Sequence, residues 1–435
     1  MVGPAPPGGN PLDAVTAREY RDRVRAFLTF ALTLSLVACG EDPAPTDGGV
    51  TPPDAGADSG ATLPPGPRPS KRSDVQGAWD PATSSFVIFG GDDGPIVNQR
   101  PMAAFRDDTW LFVAGEGWVE IEGAGPSPRA RYATAYGDGQ LFLFGGRYRD
   151  TGAMGDYTLY ADLWAFDFET REWSQLDDGT GPAARYFATA AYDEGSGTLY
   201  VAGGGTNANA LRPESPQDLW AWDGATWREI PTSGDAPSSR LFEAWAHDTS
   251  RGQLVAFGGQ VGDFFSPAFD ELFALDLETG AWTQLDAGGG AGPSGRFNAM
   301  MAYDPEGDRY LMFGGHADPG VTNDLWAFDP NGGGWSVLSA GDAFTGEPLG
   351  CLGNSAEIPQ NYVTQDLEAP ERRQGGFFEL RDGQIWLFAG ESDCSDHLDD
   401  IWTYDLATDT WREVLEARSG ETCDRRGDDC MCLCL

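Results

Sequence analysis

Basic side chains are the scarcest resource of this 435-residue chain: one lysine, Lys71, and three histidines, His247, His316 and His397. Lysines and arginines together number 28 against 68 aspartates and glutamates, a formal net charge of −40. Phosphate recognition needs Lys and Arg gathered on one face, so the balance argues against nucleic acid as a partner. It reads instead as solubility and self-repulsion outside the cell. Long apolar runs are missing too. The best, "AFLTFALTLSLVAC" from Ala26 to Cys39, is too short to span a bilayer as a stable helix. Cysteine is sparse in the body: besides Cys39 there are Cys351 and Cys394, then Cys423, Cys430, Cys432 and Cys434 crowded into the end. A C-x-C-x-C run without histidines at supporting spacing is a weak metal pattern, so disulfides within that tail are expected and no metal or other cofactor is implied.

What is abundant is glycine (59), proline (30), phenylalanine (24) and tryptophan (15), a composition that suits many short strands joined by turns. The first forty residues read as targeting rather than structure. Arg18, Arg21, Arg23 and Arg25 precede the apolar run, which closes on "LVAC", Leu36 to Cys39, followed by Gly40. This resembles a bacterial lipoprotein signal, which implies cleavage before Cys39, acylation of that cysteine and a membrane anchor in the cell envelope. Each buried acyl methylene adds about 0.8 kcal/mol, so several chains on one cysteine hold a protein at a membrane surface. Gly40 in place of an aspartate leans toward the outer membrane or cell surface. The residues before Val15 are surplus to such a signal, and translation is expected to begin later, at Val15 or Val24. The expected domains are therefore a signal over 1–39, a Pro/Gly/Asp-rich flexible linker over 40–70, a folded body over 71–415 and a Cys-rich tail over 416–435.

The body repeats one phrase six times. Glycine landmarks fall at Gly90–Gly91, Gly145–Gly146, Gly203–Gly205, Gly258–Gly259, Gly314–Gly315 and, in decayed form, Ala389–Gly390. A period of this kind has to be recognised before any site is proposed. An arginine stands eighteen residues ahead of the first glycine at Arg72, Arg185, Arg240 and Arg296; Arg129 and Arg373 stand sixteen ahead, because the intervening turn is shorter. After the glycines comes an acid and, two residues on, an aromatic: Trp110, Trp164, Trp220, Phe273, Trp326 and Trp402. A closing tryptophan follows at Trp118, Trp173, Trp227, Trp282, Trp335 and Trp411.

Each repeat reads as four short strands, A to D, with turn-forming A–B links such as "DPEGD" and "DEGSG". Strand A favours small residues, as expected where strands crowd near a common axis, and strands B and C are almost continuously apolar, which requires cover on both faces. A ring of such sheets supplies that cover. The expected fold is all-β, a six-bladed β-propeller with four antiparallel strands per blade. The motif set resembles the kelch repeat, including the kelch-type central domain of galactose oxidase, over Lys71 to Val414. The one-per-blade arginine then reads as a packing and hydrogen-bonding residue between blades, and any residue at a repeat position reads as scaffold.

Function is expected on the face carrying the B–C loops and D–A connections, which differ in every blade. Conspicuous there are Arg100, Arg106, Arg147, Tyr148, Arg149, Tyr157, Phe264, Phe265, His316 and His397, residue types that suit a protein or glycan ligand unless they merely tuck their loops against a blade. Cys351 and Cys394 fall on the same face in neighbouring blades, so a disulfide between them is expected. The galactose oxidase resemblance implies copper held by two His and two Tyr. With three histidines, one on the other face, that activity is not expected. Bacterial six-bladed kelch proteins also include sialic acid epimerases, which need only an acid–base pair in the channel. Glu243 is the one carboxylate oddly placed for the scaffold. The leading expectation is a non-catalytic, membrane-anchored binding propeller, and the alternative is an extracytoplasmic carbohydrate-active enzyme of epimerase or oxidase type.

Overall fold

The computed structural model describes residues 66–418 except 95, 98–99, 102, 152–154, 210–213, 262–266, 318–319, 345–361, 365–367 and 393–396. Cys39 with the signal, Phe264, Phe265, Cys351, Cys394 and the tail cysteines lie outside the described residues. The described ones all belong to one of the chain's two units, Ser59–Leu435.

Six blades of four antiparallel strands follow one another, each from one continuous stretch of chain in the order A-B-C-D; the sheets of blades four and five each gain a short fifth strand, Ser233–Gly234 in parallel and Arg296–Phe297 antiparallel. Blade one is Gln76–Asp80, Ser85–Phe89, Thr109–Val113 and Gly117–Ile121; blade two is Ala133–Gly137, Gln140–Phe144, Leu163–Asp167 and Glu172–Asp177. Blade three is Thr189–Asp193, Thr198–Ala202, Leu219–Trp222 and Trp227–Ile230; blade four is Ala244–Asp248, Gln253–Phe257, Leu272–Asp276 and Ala281–Asp286. Blade five is Met300–Asp304, Arg309–Ala317, Val321–Asp329 and Gly334–Ser339; blade six is Phe377–Arg381, Gln384–Phe388, Ile401–Asp405 and Thr410–Leu415. Strands A face the common axis, and strand A of blade six touches strand A of blade one, which closes the ring. This is a six-bladed β-propeller.

The cores lie in the seams between blades, which is why strands B and C can be apolar on both faces. Phe142, Phe144 and Leu163 of blade two pack with Ala190, Tyr192 and Val201 of blade three, and the seam between blades six and one has its own cluster around Phe86, Phe112, Trp386 and Phe388. The closing tryptophan of each repeat belongs to a seam. Trp118, Trp173, Trp227, Trp335 and Trp411 set their rings 4.8–5.5 Å from Phe388, Phe89, Phe144, Phe257 and Phe313, the strand-B residue just ahead of the first landmark position in the preceding blade. Aromatic pairs of this kind contribute about 0.5–1.5 kcal/mol beyond their burial.

The repeated arginine ties neighbouring blades together, as the sequence suggests, through a division of labour. Arg296 shows the pattern. Its Nη1 donates to the carbonyl of Gly314 at 3.0 Å, and its two Nη atoms grip Asp324 at 2.6 and 3.0 Å. The same carboxylate receives the indole N–H of Trp326 at 2.7 Å. All of these partners lie in the arginine's own blade. Its backbone serves the previous one: Gly259 N–H donates to the Arg296 carbonyl at 2.9 Å, and Arg296 N–H donates to Phe269. Arg72, Arg129, Arg185 and Arg373 repeat the fork on Asp108, Asp162, Asp218 and Asp400, and Arg240 grips Glu271.

The glycine pair follows from this packing. Both members take positive φ, for example 55° at Gly90 and 95° at Gly91, and a Cβ on Gly90 would stand 2.6 Å from the Arg129 carbonyl. In blade six Ala389 accepts the first position at φ 62°. The hairpin acids behave as turn formers: Asp193 accepts from Gly195 N–H and Ser196, and Asp304 from the N–H groups of Glu306 and Gly307.

Ring closure uses the two ends of the body. Arg72 N–H donates to the Leu398 carbonyl, and the buried Asp399 is flanked by Arg68 at 3.4 Å and Arg418 at 3.1 Å. Arg418 also donates to the carbonyl of Pro69 at 2.6 Å, so the segments just before blade one and just after blade six are tied to each other.

Removing one partner of a buried charge pair strands the other, so Arg296→Met is expected to lower the unfolding free energy by about 3–5 kcal/mol. Arg106→Met removes a half-exposed partner of Asp93, whose carboxylate keeps the Ser70 hydroxyl, and is expected to cost clearly less. Urea titration of both variants measures the contrast; equal losses would show that the fork is no more than a surface pair.

Candidate binding site at the mouth of the central channel

Two residues after each repeated arginine, where the chain turns into strand A, the backbone enters the left-handed region. The positions are Asp74, Arg131, Phe187, Phe242 and Asn298 at φ 53–68°, and Gly375 at 63°. Such φ values are costly for residues other than glycine, asparagine and aspartate, and persist only where surroundings enforce them. Here a collar of backbone hydrogen bonds does so. Arg131 N–H donates to the Asp74 carbonyl, Phe187 to Arg131, Asn298 to Phe242, Gly375 to Asn298 and Asp74 to Gly375, at 2.8–3.2 Å. Between blades three and four the Phe187 and Phe242 rings meet edge to face at 4.5 Å. The collar rims the channel on the side of the B–C loops.

Below it lies a cavity of about 730 Å³. Strands A give it small walls, such as Ala78, Ala135 and Ala190, and a few polar side chains: Gln76, Thr134, Thr189, Asn298 and Glu243. Glu243 precedes strand A of blade four by one residue and is the carboxylate the sequence marks as misplaced for a scaffold. It is half-buried, its Oε2 is sealed from solvent without a hydrogen-bond partner, and burial pushes its carboxyl up to about 7. Deeper, Glu379 pairs with Arg381 at 2.6 Å, and burial also raises the Glu379 carboxyl. His247 lines the cavity toward the A–B turns, where burial lowers its pKa.

One side of the mouth is cationic. Arg131 donates through Nε to Asp74 at 2.5 Å and lies over the Phe187 ring at 4.4 Å. Arg147, only 6 % exposed, lies over Tyr157 at 3.9 Å, over Tyr186 at 5.1 Å and near Phe187 at 6.0 Å. No acceptor for its guanidinium occurs among the described residues, and its Nε is sealed from solvent. Burial, with the neighbouring Arg131 charge, pulls its pKa down to about 10. Arg149 covers the other approach to Tyr157 at 4.3 Å. Local structure places these groups: Arg147–Tyr148 forms a short ladder with Thr158–Leu159, and Ala130 pairs with Arg147.

The remaining expected loop residues are scattered. Tyr148 donates to Asp150 and packs with Tyr157 against Phe105 of blade one, so both tyrosines also anchor their loop. His316 stacks on Phe297 at 4.8 Å. His397, expected on the binding face, is 7 % exposed in the ring-closing seam, 3.2 Å from Ser73 Oγ. With His247 at the far end of the channel, the three histidines do not converge, and among the described residues no group of three or more His, Cys, Asp or Glu could hold a metal ion. A copper centre of two histidines and two tyrosines does not fit these residues.

Arg131, Phe187, Phe242 and Asn298 escape the sequence reading, because it assigns every residue at a repeat position to the scaffold. The signal that could have found them is the spread of types, Asp, Arg, Phe, Phe, Asn and Gly, at one fixed offset in an otherwise regular phrase.

Six four-stranded sheets around a channel, with a collar and irregular loops at one end, define a propeller whose variable groups gather at a single mouth. The chain belongs to the kelch-repeat family: residues 61–226 and 196–363 match the KLHDC2/KLHL20/DRC7 Kelch-repeats domain. It is 27% identical over 266 residues to the leucine-zipper-like transcriptional regulator 1 homolog of Drosophila melanogaster, covering 58% of this chain and 25% of that protein. It is 30% identical over 241 residues to Kelch domain-containing protein 10 of Xenopus tropicalis, covering 53% of each. The chain thus spans from a quarter to about half the length of these two relatives. A solved structure of YjhT aligns with a TM-score of 0.56 at 14% identity, covering 79% of this chain and 98% of that one, a likeness of fold.

A carboxyl raised in the folded state favours folding at pH values where it is protonated, and that contribution disappears as pH rises through its folded value. The stability of the wild type relative to Glu243→Gln is therefore expected to decline as pH rises from about 4.5 to about 7 and to level off above. Paired melting curves across that range check it; a flat difference would place Glu243 in bulk solvent.

Proposed function

We propose that this protein is a non-catalytic binding propeller that holds a protein or glycan on the face bearing its B–C loops and D–A connections. The observation that carries the reading is the mouth itself, where Arg131, Arg147 and Arg149 lie against Tyr157, Tyr186 and Phe187 with Asp74 as the nearest carboxylate. Arginine and aromatic groups in desolvated settings supply most of the energy at binding surfaces. A local cationic patch on a chain of net charge −40 also focuses attraction at one place. The opposite face offers short, uniform A–B turns whose acids are spent on their own backbone.

The setting we propose is extracytoplasmic, with the body held by a lipid on Cys39. A linker of 31 residues, 40–70, would give it a reach of roughly 30 Å as a flexible coil. Radiolabelled fatty acid is expected to mark the wild type and to leave Cys39→Ser unlabelled; equal labelling of both would remove the anchor.

One observation favours the enzyme reading of epimerase type. Glu243, poised near neutrality beside the cavity, has the protonation behaviour that sugar proton transfer asks of a general acid or base. Among the described residues no second group of the pair stands beside it, and binding is the better-supported reading.

A glycan array and a pull-down with the full chain test the proposal. Tyr148→Ala combined with Tyr157→Ala is expected to reduce capture at least about tenfold, whereas Glu194→Ala with Glu306→Ala, at the turn end of the channel, should leave it unchanged. Loss from the turn-end pair alone would overturn the assignment of the face.

A further inference from the structure

We propose that the ring parts at one seam, between blades three and four, where Trp245 holds the two strands A apart, and that the central channel widens there. The six seams are not alike. In five of them three backbone hydrogen bonds cross from blade to blade: one at the collar, one from the second landmark glycine to the next arginine's carbonyl, and one from that arginine's N–H. Between blades four and five the donors are Asn298 to Phe242, Gly259 to Arg296 and Arg296 to Phe269, at 2.9–3.1 Å. The seam between blades three and four has none of the three, since the N–H groups of Phe242, Gly204 and Arg240 make no such bond.

The spacing agrees. At Gly90, Gly145, Gly258 and Gly314 a Cβ would stand 2.3–2.7 Å from the next arginine's carbonyl, but at Gly203 it would meet only the Trp245 ring, at 3.4 Å. Strands A of blades three and four also make the least contact of the six neighbouring pairs. Trp245 is the cause. Its indole stands at a strand-A position that is Ala190 in blade three, beside Ala202 where the other seams have phenylalanine. An indole between two inner strands is a wedge. What stands in for the missing bond at the collar is the Phe187–Phe242 ring contact, which lacks the directionality of a hydrogen bond.

The outer rim of the same seam is tied instead. The chain leaving strand D of blade three lies along strand D of blade four as Ser233–Gly234, in parallel with Ala281–Trp282. Ser233 N–H donates to the Gly280 carbonyl at 3.0 Å, and Asp235 N–H to that of Trp282 at 3.2 Å. Among the described residues no other blade has a strand added to its strand D. On the loop side a hydroxyl serves: Ser239 Oγ donates to the Ser215 carbonyl at 3.2 Å. Apolar filling by Leu219, Leu254 and Leu275 keeps the closed form as the ground state. A seam pinned at its rim and unpinned at the axis has the layout of a hinge. The cavity runs past Ala190, Ala191, Glu243 and Trp245, so parting the seam widens the channel and uncovers the sealed Oε2 of Glu243.

Maleimide labelling of the full chain, read peptide by peptide by mass spectrometry so that native cysteines do not interfere, tests the proposal. Ala191 and Ala246 hold the same strand-A register in blades three and four and are 1 % and 4 % exposed. Ala191 packs in the seam between blades three and four, Ala246 in the seam between four and five. Ala191→Cys is expected to react at least about tenfold faster than Ala246→Cys, with a weaker dependence on urea than global unfolding shows. Static exposure favours Ala246, so equal rates, or a faster Ala246→Cys, would leave only whole-molecule unfolding and overturn the proposal. Trp245→Ala combined with Ala202→Phe gives this seam the pairing of the other five. It is expected to slow Ala191→Cys to the rate of Ala246→Cys. An unchanged rate in a variant melting no lower than the wild type would overturn the wedge and the proposal with it. Where the combined variant melts lower, the comparison of the two cysteines in the wild-type background decides alone.

Discussion

An arginine whose side chain serves one blade and whose backbone serves its neighbour is the residue on which this ring depends. Each repeated arginine sends its side chain into its own blade, to the first landmark carbonyl and the acid that opens strand C, and all but Arg240 also tie their backbone to the blade before. The geometry dictates the neighbours. The first landmark residue must adopt positive φ and lie flat against the next arginine's carbonyl, so it is glycine in five repeats and alanine in one. The acid must be paired, and the aromatic two residues on is usually tryptophan because its N–H satisfies the same carboxylate. Blade four shows the covariation: glutamate replaces the aspartate, Phe273 replaces the tryptophan, and the Arg240 guanidinium lies over Phe269 and Phe273 instead.

Seam packing shows the same compensation. In five seams a closing tryptophan meets the phenylalanine just ahead of the first landmark position in strand B of the preceding blade. Blade three ends that strand with Ala202, which leaves the space beside Trp282 short of an aromatic ring. Trp245 fills it, 6.2 Å from Trp282, at a strand-A position where the first three blades carry Gly77, Thr134 and Ala190 and the last two Met301 and Phe378. A tryptophan that looks out of place on a small-residue strand is thus explained by a missing phenylalanine 43 residues earlier in the chain. The ring is closed by another local substitution, since each blade is a single continuous segment and no strand is exchanged between the ends. Arg68 and Arg418 around Asp399 supply there, by side chains, a tie between the two ends of the body.

Periodicity made the fold legible because it records interactions that recur in every blade: the arginine fork, the landmark glycines and the seam tryptophans. Glu243 was legible for the opposite reason, as a carboxylate where the phrase has no use for one. The collar was not. Its hydrogen bonds join residues of different blades, far apart in the chain, and positive φ at Phe187 or Phe242 leaves no trace in composition. The paired status of a charge was equally hidden. Arg147 and Arg149 look alike in sequence, as do His316 and His397, yet one histidine stacks on Phe297 and the other is sealed in the closing seam beside Ser73.

A sixfold scaffold creates a difficulty for function, since a group repeated six times around an axis presents the same chemistry in every direction. This chain resolves it at one register. The backbone at the collar takes the same left-handed turn in all six blades and the same cross-blade hydrogen bond in five seams, with the Phe187 and Phe242 rings meeting in the sixth, so side chains can change there without disturbing the ring. Asp74, Arg131, Phe187, Phe242, Asn298 and Gly375 accordingly differ in charge, size and polarity while sharing one geometry. The result is a mouth with a cationic, aromatic side at blades two and three and a lone carboxyl at blade four. Rigidity comes from what the repeats share, and direction comes from the single position where they diverge. Because each collar residue sits on a locked backbone rather than on a long loop, its polar groups reach a ligand with little ordering left to do, which is the condition under which a few contacts give selective binding.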